Sequence, residues 1–166
     1  MLSMVLERNN AASHVPSARQ TDRMRLDLCI PPDSGEVPGA RRAVQQVCRD
    51  VGISEDETAA LDLALGEALA NAVVHSASTN TRGKHACEVH VSAWDFQSQL
   101  IVEVRDSGCG FEPPPPPYDM PSPDADATHG RGLPMMELLT DALVVCRGDA
   151  DEGGSSIYLV KTKPGA

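Results

Sequence analysis

Aromatic residues are scarce in this chain. Two Phe, two Tyr and one Trp occur among its 166 residues, whereas apolar residues of all kinds make up 41%. A chain of this length is expected to fold as one domain with a sizeable core. That core must therefore be filled by Leu, Val, Ile and Ala rather than by aromatic rings.

Basic residues are also in deficit. Fourteen Lys and Arg stand against 24 Asp and Glu, which gives a formal net charge of -10. This balance disfavours the phosphate backbone of a nucleic acid as a partner, and no basic patch with interleaved aromatic residues occurs. An acidic surface is compatible with a basic protein partner.

Three further absences bear on location and redox state. The cysteines are odd in number and never spaced as CxxC, which disfavours both a disulfide framework and a zinc site; they are Cys29, Cys48, Cys87, Cys109 and Cys146. No basic region followed by an apolar run marks a signal peptide, and no apolar stretch is long enough to cross a bilayer. We therefore expect a soluble cytoplasmic protein with reduced thiols and no membrane association.

The hydrophobic pattern predicts five strands and three helices. Residues 1–22 lack periodicity and are expected to form a disordered tail, which leaves the folded domain at 23–163. Strands are predicted at about 24–30, 87–93, 100–105, 142–146 and 156–161, and helices at about 38–52, 54–76 and 130–140.

Strands and helices do not alternate strictly along the chain. This order disfavours a doubly wound parallel sheet and favours an α/β (α+β) two-layer sandwich. We expect a mixed, mostly antiparallel five-stranded sheet with three helices on one face. The other face must then be partly solvated, or covered by a second copy or a partner.

A proline-rich segment interrupts the second half of the domain. Five consecutive prolines occupy 113–117, and the surrounding segment cannot form regular structure. We interpret residues 112–129 as a lid or spacer, because glycine motifs flank them on both sides. A proline-rich ligand for a partner domain is the alternative.

The helix at 38–52 is expected to carry three arginines on its outer face, which are Arg41, Arg42 and Arg49. The simpler interpretation is a solvated surface. The alternative is a basic docking site for a protein partner.

The most informative stretch is the helix sequence AALDLALGEALANAVVH at 59–75. Glu67, Asn71 and His75 recur every four residues and therefore stack on one face of a largely apolar helix. A carboxylate and a carboxamide in such a helix are costly unless something pairs with them. We interpret that partner as a metal-bound nucleotide; the alternative is an ion pair between Glu67 and an arginine.

Four motifs follow one another in a specific order. The helical E-x-x-x-N of Glu67 and Asn71 precedes D-x-G-x-G-F at 106–111, which ends a strand; G-x-G-L at 130–133 then opens a helix, and Gly-Ser-Ser at 154–156 starts the last strand. Each motif alone is common, since a turn or a helix cap can produce it. Their joint order is far more specific.

In this order the chain resembles the ATP-binding domain of the GHKL (Bergerat-fold) superfamily. That superfamily comprises histidine kinases, type II topoisomerases, the ninety-kilodalton heat-shock chaperone and mismatch-repair ATPases. Within it, the chain is most similar to the small anti-sigma factors that are also serine-protein kinases. The resemblance covers roughly 24–163 and is carried by GEALANAVVH (66–75), VEVRDSGCGF (102–111), GRGLPMMELLTD (130–141) and GGSSIYLVK (153–161).

The resemblance implies roles for the matching residues. Asn71 supplies a hard oxygen ligand to Mg²⁺, and Glu67, one turn earlier, orients or deprotonates an attacking hydroxyl. Asp106 accepts a hydrogen bond from the exocyclic amine of adenine. Gly108 and Gly110 let the backbone pass close to the base.

The same resemblance implies a phosphate site at the start of the last helix, formed by Gly130, Arg131, Gly132 and Leu133. Arg131 could meet the terminal phosphate. Some kinases of the family carry an arginine slightly earlier, where this chain has Thr128 and His129.

Three other positions complete the expected site. Ser155 and Ser156 replace the usual threonine of the last motif, and either hydroxyl could reach the adenine through water. Phe111 is expected to anchor the root of the lid. His75 is interpreted as a structural histidine.

The function that the resemblance implies is that of an ATP- and Mg²⁺-binding anti-sigma factor. It would sequester an alternative sigma factor, phosphorylate a Ser or Thr of an anti-anti-sigma (STAS-type) partner, and form a homodimer. Two alternatives stay open. One is a nucleotide-binding regulatory module without kinase activity, which the shifted arginine favours. The other is a detached histidine-kinase catalytic domain, which the short, irregular residues 1–22 disfavour.

Overall fold

The computed structural model describes residues 23–78, 88–108, 110, 116–118, 131–148 and 153–165. The predicted tail at 1–22 lies outside these residues. So does most of the predicted lid at 112–129, together with Phe111 and Gly130. No helix among the described residues is both long enough and apolar enough to cross a membrane.

Five strands and three helices make up the described part of the domain. In chain order they are β1 (Met24–Ile30), α1 (Val37–Asp50), α2 (Glu55–Ser78), β2 (Val89–Asp95), β3 (Gln99–Asp106), α3 (Gly132–Leu139), β4 (Ala142–Arg147) and β5 (Ser155–Thr162). The predicted order of elements is confirmed, and most predicted ends agree with the observed ones to within two residues.

The strands form one sheet in the order β1-β2-β3-β5-β4, and every described pair is antiparallel. The expected five-stranded, mostly antiparallel sheet is confirmed, and its described pairs are antiparallel throughout. The connection from β1 to β2 contains two helices. With one more reversal of the chain than a single-helix crossover has, it returns β2 antiparallel to β1. The α3 crossover does make β3 and β4 parallel, but β5 lies between them and pairs with both.

The core lies between the sheet and the helices. Alternate residues of β3, Leu100, Val102 and Val104, are at most 1% exposed, and they pack with Leu65 and Leu69 of α2. The largest fully buried side chains are Leu, Met, Val and Cys, and none is aromatic. The prediction from composition, that aliphatic side chains fill the core, is confirmed for the described residues.

The N-terminus of α2 is capped as its sequence indicates. The Glu57 backbone N–H donates to the Ser54 hydroxyl oxygen over 3.3 Å. Three acidic residues in the first turn, at 55–57, favour the positive end of the helix dipole. These contacts fix where the helix begins, and hence which of its residues face the sheet.

A bidentate ion pair fastens α1 to α2. Arg41 Nε donates to Asp62 Oδ1 over 2.9 Å, and a second guanidinium nitrogen donates to Asp62 Oδ2. The hydrogen bond from Arg41 holds the pKa of Asp62 below its usual value. Arg41 is therefore a packing residue between two helices. Of the three arginines on α1, Arg42 and Arg49 are the exposed ones.

Replacement of this arginine should weaken the fold. We expect Arg41→Gln to lower the free energy of unfolding by about 1 kcal/mol near pH 7, because the pair is bidentate and partly buried. The pKa of Asp62 is lowered in the folded state, so this contribution is present above the unfolded value of 3.8 and is lost as the pH falls through the lower folded-state pKa. Denaturant titrations near pH 7 and near pH 3 measure both effects.

The exposed neighbour Arg42 provides the matched control. Arg42→Gln should change the free energy of unfolding by less than about 0.5 kcal/mol. Equal stability of Arg41→Gln and the wild type near pH 7 would contradict the proposed role of the pair.

Candidate functional site

The polar positions of α2 face the start of α3. Glu67 and Asn71 are half-buried on successive turns. A methyl group built on Gly132, the first residue of α3, would lie 3.3 Å from Asn71 Nδ2 and 3.5 Å from Glu67 Oε2. Two of the predicted motifs, distant in sequence, therefore meet at one point. The absence of a side chain at Gly132 leaves the space beside both polar groups open.

Neither polar side chain has a hydrogen-bonding partner in the part of the chain that the structure describes. Among the described residues, no hydrogen bond or ion pair engages the Glu67 carboxylate or the Asn71 carboxamide. The alternative interpretation was an ion pair between Glu67 and an arginine. No described arginine forms that pair, and Arg41 of the neighbouring helix pairs with Asp62 instead. Two polar groups on an apolar helix thus keep their hydrogen-bonding capacity for something else.

The third predicted residue, Asp106, ends β3 and is 7% exposed. Its Oδ1 accepts from Gly108 N over 2.8 Å, and its Oδ2 accepts from Ser155 N over 3.1 Å. Burial raises the pKa of Asp106, against the opposing effects of both amides and of the His75 charge. Each carboxylate oxygen keeps a further lone pair with which to accept a hydrogen bond.

The turn after Asp106 packs closely between the end of α2 and the start of β5. A methyl group on Gly108 would lie only 2.8 Å from the His75 carbonyl oxygen, so only glycine fits there without a shift. The Gly108 carbonyl accepts from Gly154 N over 2.6 Å. Gly110 follows at a φ of 69°, in the left-handed region that favours glycine. Because the contact with His75 involves main-chain atoms, no residue type in the sequence signals it.

The two serines of the last motif lie on opposite faces of the sheet. Ser155 pairs with Asp106 in the β3–β5 ladder and is 3% exposed. Ser156 pairs with Arg105 and Cys146, on the face away from the helices. Cross-strand partners share a face, so the structure brings Ser155 to the predicted site and not Ser156.

The remaining predicted residues lie around the start of α3. Arg131 immediately precedes α3 and is exposed, and Leu133 is half-buried against the core. Gly130 lies outside the described residues. The structure therefore gathers Glu67, Asn71, Asp106, Gly108 and Ser155 on or beside α2, with Gly132 opposite the first two. Arg131 and Leu133 are the chain neighbours of Gly132.

The donor set of this site suits a magnesium ion more than a softer metal. Mg²⁺ prefers oxygen ligands and takes few from the protein, with waters and phosphates supplying the rest. The carboxamide oxygen of Asn71 and the carboxylate of Glu67 provide such ligands without a competing partner in the described chain. The glycine at the start of α3 leaves room for an anion at a helix N-terminus.

Substitution of Gly108 tests the close approach of this turn to the His75 carbonyl oxygen. We expect Gly108→Ala to lower the free energy of unfolding by about 1–3 kcal/mol, because the added methyl group overlaps main-chain oxygen. Chemical denaturation measures the change.

The same substitution at Gly66, within α2, is the control. Its methyl group would meet nothing closer than 3.8 Å, so Gly66→Ala should be neutral or stabilise by up to about 1 kcal/mol. A Gly108→Ala protein as stable as the wild type would contradict the close approach of this turn to His75.

Comparisons with known proteins identify the family of this chain. A family model described as the histidine kinase-like ATPase domain matches residues 30–161. The serine-protein kinase RsbW of Bacillus velezensis is 30% identical over 144 residues, which span 83% of this chain and 84% of the relative.

A solved structure supports the fold alone. The RsbU and RsbW domains of Rv1364c from Mycobacterium tuberculosis superpose with a TM-score of 0.57 at 19% sequence identity, over 84% of this chain and 33% of that longer chain. The present chain thus spans about a third of the length of that solved chain. By its sequence, its fold and the order of its motifs, the chain belongs to the histidine kinase-like ATPase family, as a relative of the serine-protein kinase RsbW.

Proposed function

We propose that this protein is an ATP- and Mg²⁺-dependent serine/threonine-protein kinase that also acts as an anti-sigma factor. The observation that carries the proposal is the juxtaposition of Glu67, Asn71 and Gly132, with both polar side chains unpaired among the described residues. The relative that is 30% identical is a serine-protein kinase, which favours phosphoryl transfer over binding alone.

Asp106 and its surroundings are proposed to bind the adenine base. The carboxylate is fixed by two backbone amides and retains lone pairs that can accept from the exocyclic amine. Ser155 shares its face and could contact the base through water. Gly108 and Gly110 keep this wall free of side chains.

Asn71 is proposed as the protein ligand of Mg²⁺, which when bound neutralises negative charge on the phosphates. The amides at the start of α3, from Gly130 to Leu133, would hold the phosphates at the positive end of the helix dipole. Arg131 is exposed at that point and would reach the terminal phosphate.

Glu67 is proposed as the base. As the hydroxyl oxygen of the acceptor forms a bond to the γ-phosphorus, the bond from that phosphorus to the bridging oxygen of ADP breaks and its electron pair leaves with ADP. The carboxylate of Glu67 takes the hydroxyl proton. Its half-buried position, one turn from Asn71, supports this role.

The surroundings of Glu67 favour a protein as the acceptor. Leu63 is 56% exposed and Val74 is 64% exposed, and both lie on the same side of α2 as Glu67. Large exposed apolar side chains around a site mark a surface that another protein can cover.

The partners proposed are a sigma factor and an anti-anti-sigma protein of the STAS type. Phosphorylation would keep the anti-anti-sigma protein away and leave the sigma factor captured. A homodimer is proposed as the working form. Since both partners act in transcription, we propose that the protein is cytoplasmic.

Two variants separate binding from transfer. We expect Asn71→Ala to lose most of the Mg²⁺-dependent part of ATP affinity, because it removes the metal ligand. Glu67→Gln should bind ATP as the wild type does and transfer phosphate about 10²–10⁴-fold more slowly, because the amide cannot take a proton. Calorimetric titration with ATP, with and without Mg²⁺, measures the first effect, and single-turnover transfer the second.

Glu55→Gln, at the exposed start of α2, is the matched control and should retain both properties. For the transfer assay, purified STAS-type proteins are incubated with labelled ATP and Mg²⁺. Label on a partner serine or threonine supports the proposal. ATP binding without transfer would instead identify a regulatory module, and label on a histidine a histidine-kinase domain. Wild-type transfer by Glu67→Gln would exclude Glu67 as the base.

A further inference from the structure

Three side chains that bind metals in other proteins converge at the β1–β2 edge of the sheet. Cys29 Sγ lies 3.9 Å from His90 Nε2, and His90 Nε2 lies 3.5 Å from Glu88 Oε2. The three donor atoms all lie within 4.8 Å of one another. Nothing in the proposed kinase reaction uses them.

The spacing of these atoms fits a tetrahedral zinc ion. Zinc bonds of about 2.3 Å to sulfur and about 2.0–2.1 Å to nitrogen or oxygen place sulfur and nitrogen about 3.5 Å apart, and nitrogen and oxygen about 3.4 Å apart. The observed distances of 3.9 and 3.5 Å are within a few tenths of an ångström of these values. The third pair, Cys29 Sγ and a Glu88 carboxylate oxygen, lies within 4.8 Å, so a rotation of the Glu88 side chain would bring it to the roughly 3.5 Å that zinc requires.

The backbone holds all three residues in place. Cys29 and His90 are direct cross-strand partners in the β1–β2 ladder. Glu88 stands two residues before His90, so both can project from the same face. Its main chain is held at both ends by one hydroxyl, because Glu88 N donates to Ser107 Oγ over 3.0 Å and Ser107 Oγ donates to the Glu88 carbonyl over 3.2 Å.

We propose that Cys29, Glu88 and His90 form a binding site for one zinc ion per chain, with the fourth position open to solvent. Cys29 is exposed, and Glu88 and His90 are half-buried, so the ion can enter from the surface. The donors are a thiolate, an imidazole and a carboxylate. This donor set favours zinc over Mg²⁺, which prefers oxygen ligands only.

The charges around the cluster are compatible with a cation. Asp27 stands two residues before Cys29 on the same face of β1 and adds a second negative charge near the thiol, on the side of Cys29 away from Glu88. Arg105 pairs with His90 in the β2–β3 ladder and is exposed, so its charge is screened by water. With the thiolate formed, the three anionic groups outweigh the one guanidinium.

This site is separate from the proposed nucleotide site. His90 lies on the face of the sheet away from the helices, whereas its neighbour Val89, which pairs with Asp106, faces the core. Sequence spacing could not reveal the cluster, because Cys29 and His90 are 61 residues apart and contribute one ligand each. The absence of CxxC pairs argues only against cysteine-rich sites.

Zinc alone, added to the reduced full-length protein, tests the inference. We expect the wild type to take up one equivalent in competition with a chromogenic chelator. Cys29→Ser and His90→Gln should weaken this binding at least tenfold. Cys146→Ser changes a cysteine on the same face at the opposite edge of the sheet and should bind as the wild type does.

Cobalt substitution supplies a second readout. The wild type and Cys146→Ser should show a thiolate-to-cobalt charge-transfer band, and Cys29→Ser should not. Circular dichroism establishes that the variants are folded. Equal zinc affinity of the wild type and Cys29→Ser, or no charge-transfer band in the wild type, would overturn the site. Neither readout involves ATP, so the result is independent of the proposed kinase function.

Discussion

Two polar side chains on an apolar helix, both without a partner in the described part of the chain, are the constraint around which this domain is arranged. Buried polar groups are nearly always satisfied, and a helix like α2 has strong reasons to exclude a carboxylate and a carboxamide from its half-buried face. Glu67 and Asn71 are nevertheless present and unpaired among the described residues. Their presence is explained if a bound ligand supplies positive charge and hydrogen-bond donors that pair with both side chains.

The rest of the fold brings other chemistry to the same place. The aliphatic core fixes α2 against β3, which carries Asp106 to the edge of the site. The crossover through α3 places Gly132 opposite Asn71 and Glu67, and β5, inserted between β3 and β4, places Ser155 beside Asp106. Motifs separated by tens of residues thus meet because of the strand order, and each can remain short and simple.

Much of this arrangement was predictable from the sequence. The alternation of β1, the Ser54 cap and the period of α2 depend on local rules, and the structure confirms them. The choice between Ser155 and Ser156 depended on the register of β5 against β3, which a single sequence does not specify. The role of Arg41 depended on which side chain of α2 lay opposite it.

Longer-range features escaped prediction for the same physical reason. The sheet was expected to be mixed and mostly antiparallel, and all its described pairs are antiparallel, because β5 separates the parallel strands β3 and β4. The Cys29, Glu88 and His90 cluster draws ligands from two strand regions and has no spacing signature. In each case the missing information was which strands are neighbours, and this is a property of the whole domain.

We propose that Asn71 contacts the metal ion of a bound nucleotide. Its side-chain amide resonances can be followed by nuclear magnetic resonance while ATP is added with Mn²⁺ in place of Mg²⁺. We expect the Asn71 carboxamide signals to be among the first to broaden and to recover when the metal is chelated. Persistence of sharp Asn71 signals while other residues broaden would contradict it.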